Sequence, residues 1–347
     1  MIKHPHRRLL AYLAGLVGSA AVVAVLCFAV NALVDPLWYF RGNVLTGINY
    51  AFNERTSKMI RFVPRMADYD CLLIGSSHTA LMHEEGISGH RCFNLGFSHG
   101  RVQEFLAYAK YIRDRGFRPS LIFVNVDLYD FQDPPAALTI PDFVRNAADP
   151  PSVLRTYLTL DALNFSFRTL RGAYPNHLVY DRDAQMHIIP KSHAYRPPRR
   201  LAAHDKPPPF HGELAAAFLE LRQVFPDARA IGWVPPISAW TIAQLKLDGS
   251  LQAYLGALQR ISAGFDEFLD FSVPSEITVG TTNTYDGLHY MDFVNDAVVA
   301  ALMSGNSAPG VDWLRQAPSA IAAQYDARLE ELVFGARPVT ADRGTGG

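Results

Sequence analysis

An uncharged stretch of 22 residues near the N-terminus, Leu9 to Val30, restricts the fold of this chain more than any other feature. As a helix it would be about 33 Å long, which is enough to cross the hydrocarbon core of a bilayer. Three basic residues precede it: Lys3, Arg7 and Arg8. Because Asp35 follows it, the positive-inside rule predicts a cytoplasmic N-terminus at 1–8, a transmembrane anchor at 9–34 and an extracytoplasmic remainder.

A cleaved signal peptide is the alternative interpretation of this segment. The apolar cores of signal peptides usually span about 7 to 15 residues, fewer than here, so we expect a retained anchor. Cys27 lies within the run, but Val25 and Leu26 precede it where a lipoprotein signal would need a small residue. The sequence therefore predicts a single-pass membrane protein whose main domain lies outside the cytoplasm.

Beyond a polar connector at 35–69, short apolar runs alternate with amphipathic segments. The runs "YDCLLIG", "RCFNLG", "SLIFVNVDLYDF", "ARAIGWVPP" and "EFLDFS" are typical of strands. The segments "RVQEFLAYAKYIRDRGF", "GELAAAFLELRQVF", "LQAYLGALQRISAGF" and "DFVNDAVVAALMSG" show helical spacing. This alternation predicts an α/β domain at 70–305, with a mostly parallel sheet covered on both faces.

Two further segments complete the predicted organisation. Residues 133–209 are proline-rich and too long for an ordinary loop, so they form either an insertion that borders the active site or a surface excursion. Residues 306–347 are expected to be a C-terminal helix followed by a disordered tail.

Residue composition excludes some classes of function. Lysine and arginine total 32 against 33 aspartate and glutamate, so the charge balance offers no basic surface for nucleic acid. Cys71 and Cys92 lie in neighbouring predicted strands, where a disulfide is possible although buried free thiols are commoner. The histidines lack the close spacing of metal ligands, and we expect neither a metal nor a cofactor.

Polar residues follow the predicted strands, where ligands bind in parallel α/β sheets. Ser76 and Ser77 follow the first strand and Asp127 closes the third. Asp286 precedes His289 by three residues, a spacing that lets a carboxylate orient an imidazole. Taken alone, Gly-Ser-Ser is also typical of a turn in which a serine caps a helix. The combination instead predicts a serine-type catalytic site.

Four motifs, "IGSSH", "NLGFSHG", "VNVDLYDF" and "YDGLHY", occur in an order and spacing that resemble the conserved blocks of the SGNH (GDSL-like) hydrolase superfamily. The resemblance covers about 70–305 and looks closest to the membrane-anchored branch that includes alginate O-acetylation and teichoic-acid D-alanylation proteins. It implies a flavodoxin-like three-layer sandwich. It also implies Ser77 as the nucleophile, His289 as the base and Asp286 as the group that orients the base.

The oxyanion positions depart from the family pattern. The usual glycine of the second block falls on His99, with Gly100 one residue later, and the usual asparagine of the third block falls on Asp127. A carboxylate at Asp127 would repel an oxyanion unless it were protonated or turned away. We retain His99, Gly100 and Asp127 as oxyanion or substrate-binding candidates.

The sequence and the resemblance together predict an esterase or O-acyltransferase that works through an acyl-serine, with acetyl as the favoured group. The expected substrate is a cell-envelope polysaccharide or another acyl ester, and a multi-pass membrane acyl-transfer protein is the expected partner. Two alternatives stay open: a noncatalytic, membrane-tethered binding or assembly protein, and a lipid-directed esterase.

Overall fold

The computed structural model describes residues 5–132, 138–172, 178–189 and 195–335. The chain divides into two compact units, one formed by 1–64 with 141–189 and the other by 65–140 with 190–347. The strands are β1 (Cys71–Gly75), β2 (Cys92–Gly96), β3 (Leu121–Asn125), β4 (Leu178–Tyr180), β5 (Met186–Ile188), β6 (Arg229–Val234), β7 (Glu267–Asp270) and β8 (Val311–Asp312). The helices are α1 (Pro5–Val34), α2 (Glu54–Phe62), α3 (Ser77–Ala80), α4 (Val102–Asp114), α5 (Tyr129–Gln132), α6 (Asp142–Arg145), α7 (Val153–Tyr157), α8 (Leu160–Leu170), α9 (Ala215–Val224), α10 (Ala239–Leu247), α11 (Leu251–Ser262), α12 (Glu276–Val279), α13 (Asp292–Ser304) and α14 (Pro318–Leu329).

The larger unit is built on a six-stranded sheet in the order β2-β1-β3-β6-β7-β8. All neighbouring strands are parallel except β7 and β8, which are antiparallel. The strand order reverses at β1, which lies between β2 and β3. In open parallel sheets this reversal opens a crevice at the carboxyl ends of the strands, where ligands bind. The predicted α/β class with a mostly parallel sheet is confirmed.

Both faces of the sheet are covered, which explains why its strands are continuously apolar rather than alternating. Leu73, Phe123 and Trp233 belong to a buried cluster on one face, where α13 contributes Val298 and Leu302. The residues that alternate with these point to the opposite face. Leu72, Ile74, Ile122 and Val124 are likewise fully buried.

The sheet unit extends past the predicted boundary at Gly305. Strand β8 pairs with β7, and the buried carboxylate of Asp270 accepts hydrogen bonds from Tyr325 Oη of α14 at 2.7 Å and from Trp313 Nε1 at 3.1 Å. The helix expected after Gly305 is present as α14, but its local pattern does not tie it to the sheet, so the sequence placed the domain boundary too early. The predicted disordered tail falls mostly at 336–347, outside the described residues.

Cys71 and Cys92 are direct partners in the register of β1 and β2, with their Cα atoms 4.2 Å apart, and they form a disulfide. Of the two alternatives that the sequence left open, the structure contains the disulfide and not the commoner pair of free thiols. Adjacent parallel strands bring the two side chains to the same face at bonding distance, which sequence spacing alone does not reveal.

The smaller unit contains α1, which is long and apolar enough to cross a membrane from Leu9 to Val34. The same unit holds α2, the short helices α6 to α8 and the β4–β5 hairpin, to which Asn49 adds a bridge at Tyr180. The segment predicted as one insertion, 133–209, is thus divided, since 141–189 belongs to this unit and the residues after it belong to the sheet unit.

Candidate active site

Ser77 begins α3 immediately after β1, at the edge of the sheet where the strand order reverses. Ser76 is the N-cap of this helix, and its side chain accepts a hydrogen bond from the His78 amide at 3.2 Å. A Cβ at Gly75 would collide with the side chains of Thr79 and Asn125. The glycine therefore lets α3 pack directly over the strand end, which fixes Ser77 at the carboxyl edge.

Asn94 holds the same short helix from the neighbouring strand. Its Nδ2 donates to the carbonyl oxygens of Thr79 at 2.7 Å and Met82 at 3.0 Å, while its Oδ1 accepts from the Gly96 amide. The asparagine of the "NLGFSHG" motif thus positions the segment that carries Ser77.

Ser77, His289 and Asp286 form one continuous hydrogen-bonded chain. Ser77 Oγ lies 2.7 Å from His289 Nε2, across 212 positions of sequence. His289 Nδ1 lies 2.7 Å from Asp286 Oδ2. The Ser77 residue is buried, whereas the side chains of His289 and Asp286 are 19% and 32% exposed. The arrangement is that of a nucleophile, a base and a group that orients the base, in which the base and the orienting group are partly exposed.

Asp286 is held as an acceptor by its own loop. Its Oδ1 accepts the backbone N–H groups of Leu288 at 2.9 Å and His289 at 2.8 Å. Burial by itself would raise the pKa of Asp286, but the hydrogen bond and charge interaction with His289 and these two amides lower it overall. The carboxylate is therefore ionised at neutral pH and keeps the proton of His289 on Nδ1.

Hydrogen bonds from Thr284 and Ser238 hold the loop that carries Asp286 and His289. Thr284 Oγ1 donates to the His289 carbonyl at 2.8 Å and accepts from the Gly287 amide at 2.9 Å. Ser238, which precedes α10 after β6, donates its amide to the Gly287 carbonyl at 2.8 Å. Gly287 has a φ of +86° beneath the ring of Tyr195, a conformation and a close approach that a side chain would not tolerate.

A second histidine, His78, lies directly beside the base. Its ring is nearly parallel to that of His289, with centroids 5.4 Å apart, and Tyr285 stacks on His289 at 5.6 Å. His78 Nε2 lies 3.0 Å from the Leu288 carbonyl oxygen, and its Nδ1 lies 2.7 Å from a carboxylate oxygen of Asp127. An imidazolium with a proton on both ring nitrogens donates to both of these oxygens.

His78 and Asp127 are therefore a buried ion pair. Burial alone would lower the pKa of His78, but the charge and hydrogen bond of Asp127 raise it overall. Burial alone would raise the pKa of Asp127, but the charge and hydrogen bond of His78 lower it overall. The pairing neutralises the carboxylate that would otherwise oppose an oxyanion, and it ties the residue after Ser77 to the loop of His289.

Asp130 is the second carboxyl behind the site, and it is neutral at pH 7. Burial and the nearby Asp127 charge raise its pKa to about 8, against the opposing effect of the hydrogen bond from the Val102 amide. That amide, at the start of α4, lies 3.1 Å from Asp130 Oδ1. Only one of these two buried acids, Asp127, therefore carries charge.

Gly100 and His99 are the other two residues that were predicted to bind an oxyanion. The Gly100 amide donates to the Phe97 carbonyl at 3.1 Å, so it is committed to its own turn. His99 is exposed, with a φ of +54°, and within the described part of the chain it makes no hydrogen bond or ring contact with the triad. The Ser77 amide has no acceptor among the described residues and is free to donate.

Sequence reasoning missed the roles of two residues. Asn125 Oδ1 accepts from the Ser76 amide at 3.2 Å and from Ser76 Oγ at 3.0 Å, so it supports the nucleophile turn from β3. His78, which was assigned no role from the sequence, pairs with Asp127. A polar residue that ends an otherwise apolar strand, as Asn125 does, is the signal that could have identified the first.

Each imidazole nitrogen of His78 and His289 already faces a hydrogen-bond partner within the site. Comparison of the sequence with models of known protein families gives no match, and comparison with curated proteins gives none either.

Proposed function

We propose that this chain is a membrane-anchored serine esterase or O-acyltransferase of the SGNH type. The observation that carries the proposal is the hydrogen-bonded chain from Ser77 through His289 to Asp286. Its location at the reversal of strand order supports the proposal, because that edge is the usual ligand site of such sheets. The parallel strands follow one another in the flavodoxin-like order, which supports the three-layer sandwich implied by the resemblance.

In the proposed mechanism His289 Nε2 accepts the proton of Ser77 Oγ as this oxygen attacks the carbonyl carbon of an acyl ester. Asp286 holds the proton on Nδ1 and stabilises the imidazolium that forms. The C–O bond of the ester then breaks, and the alcohol leaves with the proton from Nε2. The result is an acyl-serine. Water or an acceptor hydroxyl attacks its carbonyl carbon and gives its proton to His289 Nε2, after which the acyl–Oγ bond breaks and Ser77 Oγ takes that proton back.

The free amide of Ser77 is the proposed donor to the oxyanion of the tetrahedral intermediate. Because Asp127 pairs with His78, its carboxylate no longer strongly repels an oxyanion that forms at this edge of the sheet. Release of the acyl group to water makes the protein an esterase, and release to a sugar hydroxyl makes it a transferase.

The substrate class rests on location and resemblance. An N-terminal helix long enough to span a membrane supports a protein held at the bacterial inner membrane with its sheet unit outside the cytoplasm. An acyl ester of a cell-envelope polysaccharide, with acetyl as the favoured group, is the proposed substrate. A multi-pass membrane protein that delivers the acyl group is the proposed partner of the transferase form.

Covalent labelling of the full chain with a fluorophosphonate tests the proposal. We expect the wild type and Ser76→Ala to be labelled and Ser77→Ala to lose labelling together with hydrolysis of acetyl esters. Ser76→Ala is the matched control for the nucleophile, because it removes the neighbouring hydroxyl, and the loss of its helix cap and of its bond to Asn125 is expected to cost about 1–2 kcal/mol of stability. Labelling that persists in Ser77→Ala contradicts the assignment of the nucleophile. A wild type that neither labels nor hydrolyses acetyl esters favours the noncatalytic binding protein.

A further inference from the structure

The α7–α8 pair lies against the apolar helix α1, and a buried asparagine secures it there. Asn31 Nδ2 donates to the Tyr157 carbonyl at 2.8 Å, and Asn31 Oδ1 accepts from Ser166 Oγ at 2.7 Å. One turn earlier in α1, Cys27 Sγ lies 3.7 Å from the same carbonyl oxygen. Two helices that follow one another closely are thus fixed to one side of α1 near its C-terminal end.

An apolar groove of about 500 Å³ is formed between α1 and this pair of helices, on the N-terminal side of Asn31. Its lining consists of Leu16, Ser19, Ala20, Val23, Ala24 and Cys27 of α1 and Leu158, Leu160 and Leu163 of the α7–α8 pair. Leu16 and Cys27 are eleven residues apart, or about 16 Å along a helix. The groove therefore runs along the segment of α1 that is suited to cross a bilayer.

The α7–α8 pair also exposes large apolar side chains that its own unit does not cover. Their exposed fractions range from 42% to 82%, in Leu154, Leu158, Leu160, Phe167 and Leu170. Contiguous exposed apolar surface is unusual in water and marks an interaction site. The most apolar window of α1 is itself 0% buried. Because the groove joins this surface of α1 to the exposed side chains, a partner that covers α1 also covers those side chains.

Charged residues on or next to α7 and α8 limit how deep these helices can lie in a bilayer. Arg155, Asp161 and Arg171 are exposed, and charges are costly in hydrocarbon. An amphipathic helix of this composition lies at the boundary between headgroups and acyl chains, with its apolar residues buried by about 5–10 Å.

We propose that the α7–α8 pair is a membrane-interface element, whose exposed leucines insert among the acyl chains of the leaflet at the C-terminal end of α1. An acyl chain of a bilayer phospholipid fills the groove between α1 and Leu158, Leu160 and Leu163. We choose a lipid as the occupant because the groove shares one wall with the uncovered apolar surface of α1. The smaller unit is then held to the bilayer at two places, by α1 and by this element.

Site-directed spin labelling of the full chain tests this in vesicles of phosphatidylethanolamine and phosphatidylglycerol. A nitroxide is attached to Leu160→Cys in a Cys27→Ser background, where serine preserves a donor toward Tyr157. Collision with oxygen, which concentrates in bilayers, is compared with collision with a water-confined nickel chelate. Val22→Cys on α1 is the control for a lipid-facing site, and the exposed Asp183→Cys is the control for an aqueous site.

We expect the oxygen-to-nickel ratio at Leu160 to match that at Val22 and to exceed that at Asp183 several-fold. A ratio at Leu160 equal to that at Asp183 overturns the proposal, as does an aqueous reading at Val22. Protection of Leu160 from both reagents also overturns it, because a second copy of the chain would then cover the groove. All three labelled sites are exposed, and far-UV circular dichroism checks that each variant retains the fold.

Discussion

Replacing Asp130 by asparagine removes a buried carboxyl while preserving its shape. In the native chain Asp130 accepts the amide of Val102 and has a pKa raised to about 8 by burial and by Asp127. An asparagine keeps the acceptor oxygen and is neutral at every pH. The substitution thus reproduces the protonated state of Asp130 and abolishes its ionised state.

The expected change in unfolding free energy with pH follows from the linkage between protonation and folding. Between the ordinary pKa of 3.8 and the native value of about 8, the folded chain holds a proton on Asp130 that the unfolded chain releases. Because rising pH favours the state that has released its proton, this residue lowers stability as pH rises through that window. From pH 5 to pH 8 the change is three pH units at about 1.36 kcal/mol each, or about 4 kcal/mol.

The assay is urea unfolding of the detergent-solubilised full chain between pH 5 and pH 8. We expect the wild type to lose about 4 kcal/mol relative to Asp130→Asn across that range. Tryptophan fluorescence reports the sheet unit through Trp233 and Trp313. The exposed Asp114→Asn in the same unit is the matched control and is expected to follow the wild type. Parallel pH profiles for the wild type and Asp130→Asn would refute the assignment of a neutral buried acid.

Three further outcomes follow from the site and the sheet. Asp286→Asn removes the group that orients His289 and is expected to lower kcat on acetyl esters by about 10³ to 10⁴, as in other serine triads, with the fold unchanged by circular dichroism. Asp127→Asn breaks the pair with His78 and is expected to cost about 3–5 kcal/mol of unfolding free energy at pH 6. That cost should be complete below pH 6.5, the ordinary pKa of His78, and should shrink as pH rises through its raised native pKa and His78 deprotonates. Reduction of the disulfide, which spans 21 positions, is expected to cost about 3 kcal/mol in thermal or urea unfolding, and an unchanged midpoint after reduction would contradict a structural role.

Much of the sheet unit can be predicted from local sequence because its strands and helices carry strong and different periods. The apolar runs that end at Gly75 and Gly96 become β1 and β2, and the amphipathic segment after His99 becomes α4. A C-terminal helix was expected after Gly305, but strand β8 has only two residues and α14 has a weak apolar pattern, so no local signal shows that this segment joins the sheet unit. Their place depends on pairing with β7 and on hydrogen bonds to Asp270.

The candidate triad could be predicted because its chemistry is concentrated in short motifs. Gly-Ser-Ser after a strand and Asp-x-x-His before a helix specify residue types whose local spacing is set by the turns themselves. Sequence alone did not identify the partner of Asp127, because His78 and Asp127 lie on different elements and meet only when α3 packs over the sheet. Whether this carboxylate opposes an oxyanion is therefore decided by a tertiary contact.

The amino-acid sequence by itself determined the apolar helix, the α/β class and the residues of the candidate triad. Each of these follows from patterns within a few turns or a single strand, where hydrophobic period and turn chemistry act locally. Only the tertiary structure decided that Ser77 and His289 lie 2.7 Å apart, that Cys71 bonds Cys92 and that Asp127 is paired. The physical reason is that these contacts depend on sheet register and helix packing, which join residues from 21 to 212 positions apart.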